Sequence, residues 1–339
     1  MSSVSIKDVA ALAGVSIGTV SNVLNRPERV SPESRERVHT AIEKLGYVRN
    51  DAARQLRAGH SRSIGMIVLD VGNPFFTDVA HGAETRASVD GYSLLLASSD
   101  EDTSREQVYL DLFQEQRVHG MLITPHGDVV SQLIALRRLG IPTVLVDRQT
   151  ENRTFSSVAM DDVAGGRLAA QHLIDVGRRR LAFVGGPRSL RQVADRLAGA
   201  RTVVHQASGV SLETLGTNAL TVDEGRAAAE TLLKRPESER PDAIFAANDL
   251  LAIGILQTLT MSGAVAIPND MALIGYDDIS FAASSAVPLS SVRQPTALIG
   301  ETAVDLLLRE AQAAGDENFE HEQIVFQPEL VVRASTSAG

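Results

Sequence analysis

The sequence predicts a small all-α module followed by an α/β core made of two doubly wound parallel-sheet lobes. Three observations carry this. Helix start and stop signals recur three times before residue 47. From Ser63 the hydrophobic period changes to short apolar runs alternating with amphipathic helices. That alternation begins again near Ser157. With 339 residues, 44% of them hydrophobic and 22% charged, the chain is long enough for two or three units with sizeable cores.

In the first module, Ser5-Ile6-Lys7-Asp8 has the spacing of a reciprocal helix cap, and Val9, Ala10, Leu12 and Ala13 supply an apolar face. Gly14 allows a sharp turn through positive φ. Ser16 then caps a second helix, Ile17 to Leu24, with Val20, Val23 and Leu24 facing inward. Ser31 and Pro32 open a third helix with Val38, Ile42 and Leu45 inward, and Gly46 stops it. Two short helices joined by a glycine turn make a helix-turn-helix, whose second helix fits a major groove about 12 Å wide.

Charge points the same way. The whole chain carries −10, but residues 1–62 hold ten Lys/Arg against six acids, a net +4 that leaves −14 on the remaining 277. A basic arm on an acidic body suits a protein that touches a polyanion with one end.

The string from Lys7 to Ser16, then Thr19-Val20-Ser21-Asn22-Val23-Leu24-Asn25, Val30-Ser31, Leu45-Gly46-Tyr47 and Asn50 with Ala52–Leu56, resembles the headpiece of LacI/GalR-type transcription factors. The resemblance implies base-edge contacts from Ile17, Gly18 and Asn22. It implies phosphate positioning by Thr19, Ser21 and Asn25, helped by Ser16 and Ser31. Many relatives carry arginine where this chain has Asn22; asparagine suits adenine better than guanine, so the operator is left open. Residues 50–58 resemble a DNA-binding hinge helix that begins at Asn50, in which Ala53 and Arg57 flank Leu56, the wedge for a minor-groove base step. Arg49 stands where a proline is common before Asn50.

In the body, polar residues follow the apolar runs at equivalent places: Asp70, Asn73, Asp147, Arg148, Asn248, Asp249, Asp277 and Asp278, with Arg196 in a helix. Ligands of doubly wound sheets bind at such carboxyl ends, and carboxylates, amides and a guanidinium suit a hydroxyl-rich ligand. Each residue alone is also explicable as a loop cap or surface charge.

The body resembles the sugar-binding core of the same family and of periplasmic ribose-binding proteins, a periplasmic-binding-protein-like fold. The resemblance implies an effector pocket of Asn73, Phe75, Phe76, Asp147, Arg148, Arg196, Asn248, Asp277 and Gln294. Ribose binders carry a further Phe near Ala219-Leu220-Thr221-Val222, which this chain lacks. Ribose leads among the sugars; other pentoses or hexoses, phosphorylated sugars and a purine corepressor stay open.

The expected organisation is a DNA-binding headpiece at 1–49, a hinge and linker at 50–62 and a core at 63–339. The core's first lobe is expected at 63–159 and 292–322, and its second at 160–291 and 323–339. The C-terminal residues read as a last strand and a small polar tail; with no heptad run there, a homodimer is expected.

Other classes are excluded. The absence of cysteine removes disulfides, thiolate metal sites and Cys nucleophiles. There is no nucleophile–base pair, no Gly-x-Gly-x-x-Gly loop and no His pair at metal spacing. His81, His119, His126 and His172 are scattered, and Gly165-Gly166 and Gly185-Gly186 read as turns or close packing. No enzyme activity, cofactor or metal is expected. No apolar run approaches about 18 residues and no signal-type segment opens the chain, so neither a membrane nor secretion is expected and the cytoplasm is. A transport binding protein would share the body but lack the basic helical arm. The expected function is a repressor that binds a near-palindromic operator as a dimer and is released by a small sugar.

Overall fold

The computed structural model describes residues 4–47, 61–150, 153–316 and 319–337. Contacts divide it into one unit ending at Ser61 and another from Arg62 onward.

The first unit is three helices, α1 (Ile6–Ala13), α2 (Ile17–Asn25) and α3 (Pro32–Leu45). The Ser5 and Asp8 side chains cap α1 reciprocally, and Gly14 ends it at φ 62°. The Ser16 hydroxyl accepts the Thr19 amide at 3.0 Å and opens α2. Val9, Ala10, Ala13, Val20, Val23, Val38 and Ala41 form the core. Arg37 of α3 donates to the carbonyls of Ala13 and Gly14, satisfying acceptors that the end of α1 leaves open. Leu12, expected inward, is 52% exposed, because Arg37 and the α3 face close the core without it. The hinge residues Asn50, Ala53, Leu56 and Arg57 lie outside the described residues.

The second unit contains two six-stranded sheets. The first orders its strands β2 (Ser93–Ser98), β1 (Ser63–Val68), β3 (Gly120–Ile123), β4 (Thr143–Val146), β5 (Ser157–Met160) and β11 (Gln323–Phe326), all parallel. The second orders β7 (Ser211–Leu215), β6 (Arg180–Val184), β8 (Ala243–Ala246), β9 (Ala272–Asp277), β10 (Ser290–Arg293) and β12 (Glu329–Val331), with only β12 antiparallel. The chain passes between sheets after β5, after β10 and after β11. Residues 323–326 therefore extend the first sheet, where the sequence reading assigned them to the second lobe. Pairing Gln323 with Ser157 through Phe326 with Met160 covers what would be an open edge of β5. The small C-terminal tail is docked: Ser335 is fully buried, accepts the Ser290 amide and donates to the Leu273 carbonyl.

Three helix pairs flank these sheets and share one device. Helices α4 (Pro74–Val89) and α12 (Thr296–Gln312) meet at Gly82 and Gly300. Helices α7 (Asp162–Asp175) and α8 (Arg191–Gln206) meet at Gly166 and Gly199. Helices α9 (Val222–Leu233) and α10 (Asp249–Ser262) meet at Gly225 and Gly254. At each of the six glycines a Cβ would fall 2.0–2.3 Å from a backbone carbonyl of the partner helix, so glycine sets the interhelical distance on both sides. No described helix is long and apolar enough to cross a membrane.

Candidate functional site

On α2, burial of Val20 and Val23 turns the opposite face outward. Ser16, Ile17, Gly18, Asn22 and Asn25 are exposed, and Thr19 and Ser21 are half-buried; Ser31, ahead of α3, is exposed. Ile17 stands 45% exposed, a large apolar side chain offered to solvent at the start of a helix. Asn25 donates to the Ser21 carbonyl at 2.7 Å.

In the core unit, a cleft of about 610 Å³ lies between the two sheets at their carboxyl ends. Seven of the nine expected effector residues line it: Asn73, Phe75, Phe76, Asp147, Arg196, Asn248 and Asp277. Each is positioned by the start of a helix, the end of a strand or a helix packed behind them. Asn73 caps α4 by accepting the Phe75 amide, and Asn248 caps α10 by accepting the Leu251 amide while donating to the Leu220 carbonyl. Both asparagines are thus helix caps and cleft residues at once. The Phe75 and Phe76 rings meet edge to face at 5.0 Å. Asp147 and Asp277 follow β4 and end β9 in left-handed conformations, φ 53° and 101°. Non-glycine residues held there store strain, and such strain gathers at functional sites.

Arg196 is the electrostatic centre. Its Nε donates to Asp162 Oδ1 at 2.8 Å, its Nη1 to the Ala247 carbonyl at 2.8 Å, and its Nη2 lies 3.7 Å from Asp277 Oδ1. The guanidinium sits 3.7 Å over the Tyr276 ring. Burial opposes its charge, but the Asp162 and Asp277 carboxylates hold its pKa above the ordinary value. Burial, with the Asp162 carboxylate, pushes Asp147 up to about 8, against the pull of Arg196 and of the Gln192 amide. Burial also pushes Asp277 up to about 6, again opposed by Arg196. Asp147 Oδ1 is buried with no hydrogen-bond partner, an acceptor or donor held ready within the cleft.

Arg148 and Gln294 do not line the cleft. The left-handed turn at Asp147 brings that residue, not the half-buried Arg148, to the cavity. Gln294 acts from behind, donating to Asp277 Oδ1 at 2.8 Å. Two other strand-end acids are structural. Asp249 accepts from Ser291 and the Ile279 amide, and Asp278 pairs with Arg293 and Arg333. Sequence reading missed Gln192, Asp100, Glu101 and His126, and did not count Asp70 in the pocket; all five line it. Position was the available signal, since Asp100, Glu101 and His126 follow β2 and β3 as Asp147 follows β4. In place of the absent Phe, Asn218-Ala219-Leu220-Thr221 forms part of the wall. Among the described residues no group of three or more His, Asp or Glu is placed to hold a metal ion.

Known proteins share this arrangement. A family model for bacterial regulatory proteins of the lacI family matches residues 5–50, and one for a periplasmic binding protein-like domain matches residues 170–336. The HTH-type transcriptional repressor PurR of Aliivibrio fischeri (strain MJ11) is 33% identical over 334 residues, 97% of each chain. The ribose operon repressor of Escherichia coli (strain K12) is 34% identical over 308 residues, 89% of this chain and 92% of the relative. The lac repressor dimer, in a crystal structure bound to operator and the anti-inducer ONPF, matches with a TM-score of 0.82 at 27% identity. That match spans 99% of this chain and 100% of the other. The helix-turn-helix and the two-lobed core match in one continuous alignment, and the relatives are transcriptional repressors rather than enzymes. The chain belongs to the LacI family of bacterial regulatory proteins.

Proposed function

We propose that this regulator binds a near-palindromic operator as a homodimer, in the cytoplasm, and is released by a small sugar, ribose or another pentose or hexose. The observation that carries the sugar is the convergence of Asp147, Arg196, Asn248 and Asp277 with the Phe75 and Phe76 rings in one interlobe cleft. Acceptors, amides and a fixed guanidinium match hydroxyls, and flat rings match the apolar faces of a sugar. On α2, Ile17, Gly18 and Asn22 read base edges while Ser16, Thr19, Ser21, Asn25 and Ser31 position phosphates. Asn50, Ala53, Leu56 and Arg57 belong to the hinge of this reading. Pairing through the first lobe is supported by apolar side chains exposed along its edge strand β2, Leu95 and Leu96, and by the dimeric lac repressor.

Sugar that contacts both lobes favours the closed cleft and shifts operator affinity only by its differential affinity for the two states, typically about 5–150-fold. The test is a thermal-shift screen of the whole chain against free pentoses, hexoses, sugar phosphates and purines, followed by operator binding with each hit. A sugar at about 100 times its Kd adds about 2.7 kcal/mol to the folded state. A selective shift with a free sugar that also weakens operator binding supports the reading. A shift with purines alone, tightening operator binding, overturns the sugar in favour of a corepressor.

A further inference from the structure

We propose that α2 reads a half-site holding a thymine, packed by Ile17 through its methyl group, and an adenine, paired by Asn22, while the edge of the DNA fills the space that Gly18 leaves. The inference rests on the reading above of Ile17, Gly18 and Asn22 as residues that face base edges, and adds which bases they face.

Gly18 differs from the other helical glycines of this chain. At every other glycine inside a described helix, a Cβ would fall 2.0–2.3 Å from a protein atom, so packing itself demands glycine. A Cβ at Gly18 would meet only the Ser16 hydroxyl oxygen, at 3.6 Å, which is an ordinary contact. Gly18 is the second residue of α2 and exposed. Glycine weakens a helix relative to alanine, and no contact among the described residues offsets that loss. What a bare backbone offers here is close approach of the partner to the helix, and the partner of α2 is DNA.

The polar side chains around Gly18 divide into two kinds. The Ser16 and Thr19 hydroxyls pair with each other at 2.9 Å, and the Asn25 amide donates to both the carbonyl and the hydroxyl of Ser21. The Asn22 side chain is exposed, and no described residue hydrogen-bonds it. Gly18 and Asn22 are four residues apart and share one face, and helical side chains lean towards the N-terminus. The Asn22 amide thus leans towards the bare backbone of Gly18, where a flat base edge can reach it.

Composition selects the bases. From Ile17 to Asn25 there is no Lys, Arg, Asp or Glu, so α2 has no bidentate partner for guanine and no carboxylate for the cytosine amino group. An asparagine amide matches N6 and N7 of adenine, and an aliphatic side chain matches the thymine methyl. Ile17 is exposed and stands outside the headpiece core. Five residues of helix span about 7.5 Å, which places the two bases within about three base pairs of each other.

Selection of operators from random duplexes by the whole chain tests the assignment, with Ile17→Ala, Gly18→Ala and Asn22→Arg selected in parallel. Parent half-sites should hold the thymine and the adenine at that spacing. Asn22→Arg should exchange the adenine for guanine, and Ile17→Ala should relax the thymine. Deoxyuridine in place of that thymine removes only the methyl; it should weaken the parent about fourfold and leave Ile17→Ala unaffected. Gly18→Ala should melt no lower than the parent, yet bind the parent operator at least about tenfold more weakly. G·C pairs selected by the parent at both positions, deoxyuridine without effect, or undiminished operator affinity in Gly18→Ala each overturns the inference. If all three variants select the parent half-site unchanged, the assignment of these residues to base edges falls with it.

Discussion

The side-chain amide of Gln192 crosses the cleft to Asp147, donating at 2.9 Å to its backbone carbonyl and at 2.7 Å to Oδ2. Gln192 belongs to α8, packed on the second lobe, and Asp147 follows β4 of the first. One residue thus ties the lobes together beside the ligand position.

Gln192→Leu removes both donors at nearly constant volume and leaves two buried acceptors open, a loss of about 1–3 kcal/mol. The expected outcome is a more open core, read as a larger radius of gyration in solution scattering, with sugar affinity lowered about tenfold. An unchanged radius and affinity would dismiss Gln192 as a closure contact.

Burial raises both Asp147, to about 8, and Asp277, to about 6, above the ordinary value of 3.8. The folded state therefore holds protons that the unfolded chain has already lost. Their contribution to stability is full below pH 4 and declines as pH rises, through about 6 for Asp277 and about 8 for Asp147. This runs opposite to a salt-bridged carboxylate. Melting temperature measured from pH 5 to 8 should fall more steeply in the parent chain than in Asp147→Asn, which stays neutral throughout. Parallel slopes would show that Asp147 is already ionised at pH 5.

Arg196 is buried between Asp162 and Asp277, and its removal strands both carboxyl groups. Breaking a buried pair from one side costs about 3–5 kcal/mol. Arg196→Met should lower the urea midpoint accordingly and abolish the sugar response. Adding Asp162→Asn should recover part of the stability, because the charge left behind is then gone, without restoring the response. Failure of the double variant to recover any stability would mean that the arginine acts through packing on Tyr276 instead.

Most of the architecture was legible because it rests on local signals: Ser5, Ser16, Ser31 and Asn73 cap helices, and short apolar runs form β1, β3, β4 and β8. Strand β10 offers no apolar run to read, because Ser290 and Ser291 are polar yet fully buried. Their hydroxyls are satisfied by Arg333, Thr336 and Asp249, all distant in sequence. Edge strand β7 shows only a weak signal, because it is half-exposed and carries Glu213 and Thr214. In the cleft, residues sharing a strand-end position were found, but their division of labour was not. Asp249 and Asp278 look like Asp147 in sequence, and only the tertiary partners Ser291, Arg293 and Arg333 show them to be structural. Gln192 was invisible for the same reason, since its partner lies 45 residues earlier.

The glycine contacts give a prediction that links packing to the site. A Cβ at Gly166 would lie 2.0 Å from the Arg196 carbonyl, so α7 and α8 must separate to accept alanine. Asp162 sits one turn before Gly166 on α7, and Arg196 lies on α8, so separation stretches the Asp162–Arg196 pair directly. Forced overpacking costs about 1–3 kcal/mol even where a core adapts. Gly166→Ala should therefore lower stability and weaken sugar binding together. Gly225→Ala meets the Leu251 carbonyl at 2.2 Å in the pair α9–α10, which carries no member of that ion pair. It should lower stability with a smaller loss of sugar affinity. Equal loss of affinity in both variants would mean that helix separation reaches the cleft through the lobe as a whole and not through Arg196.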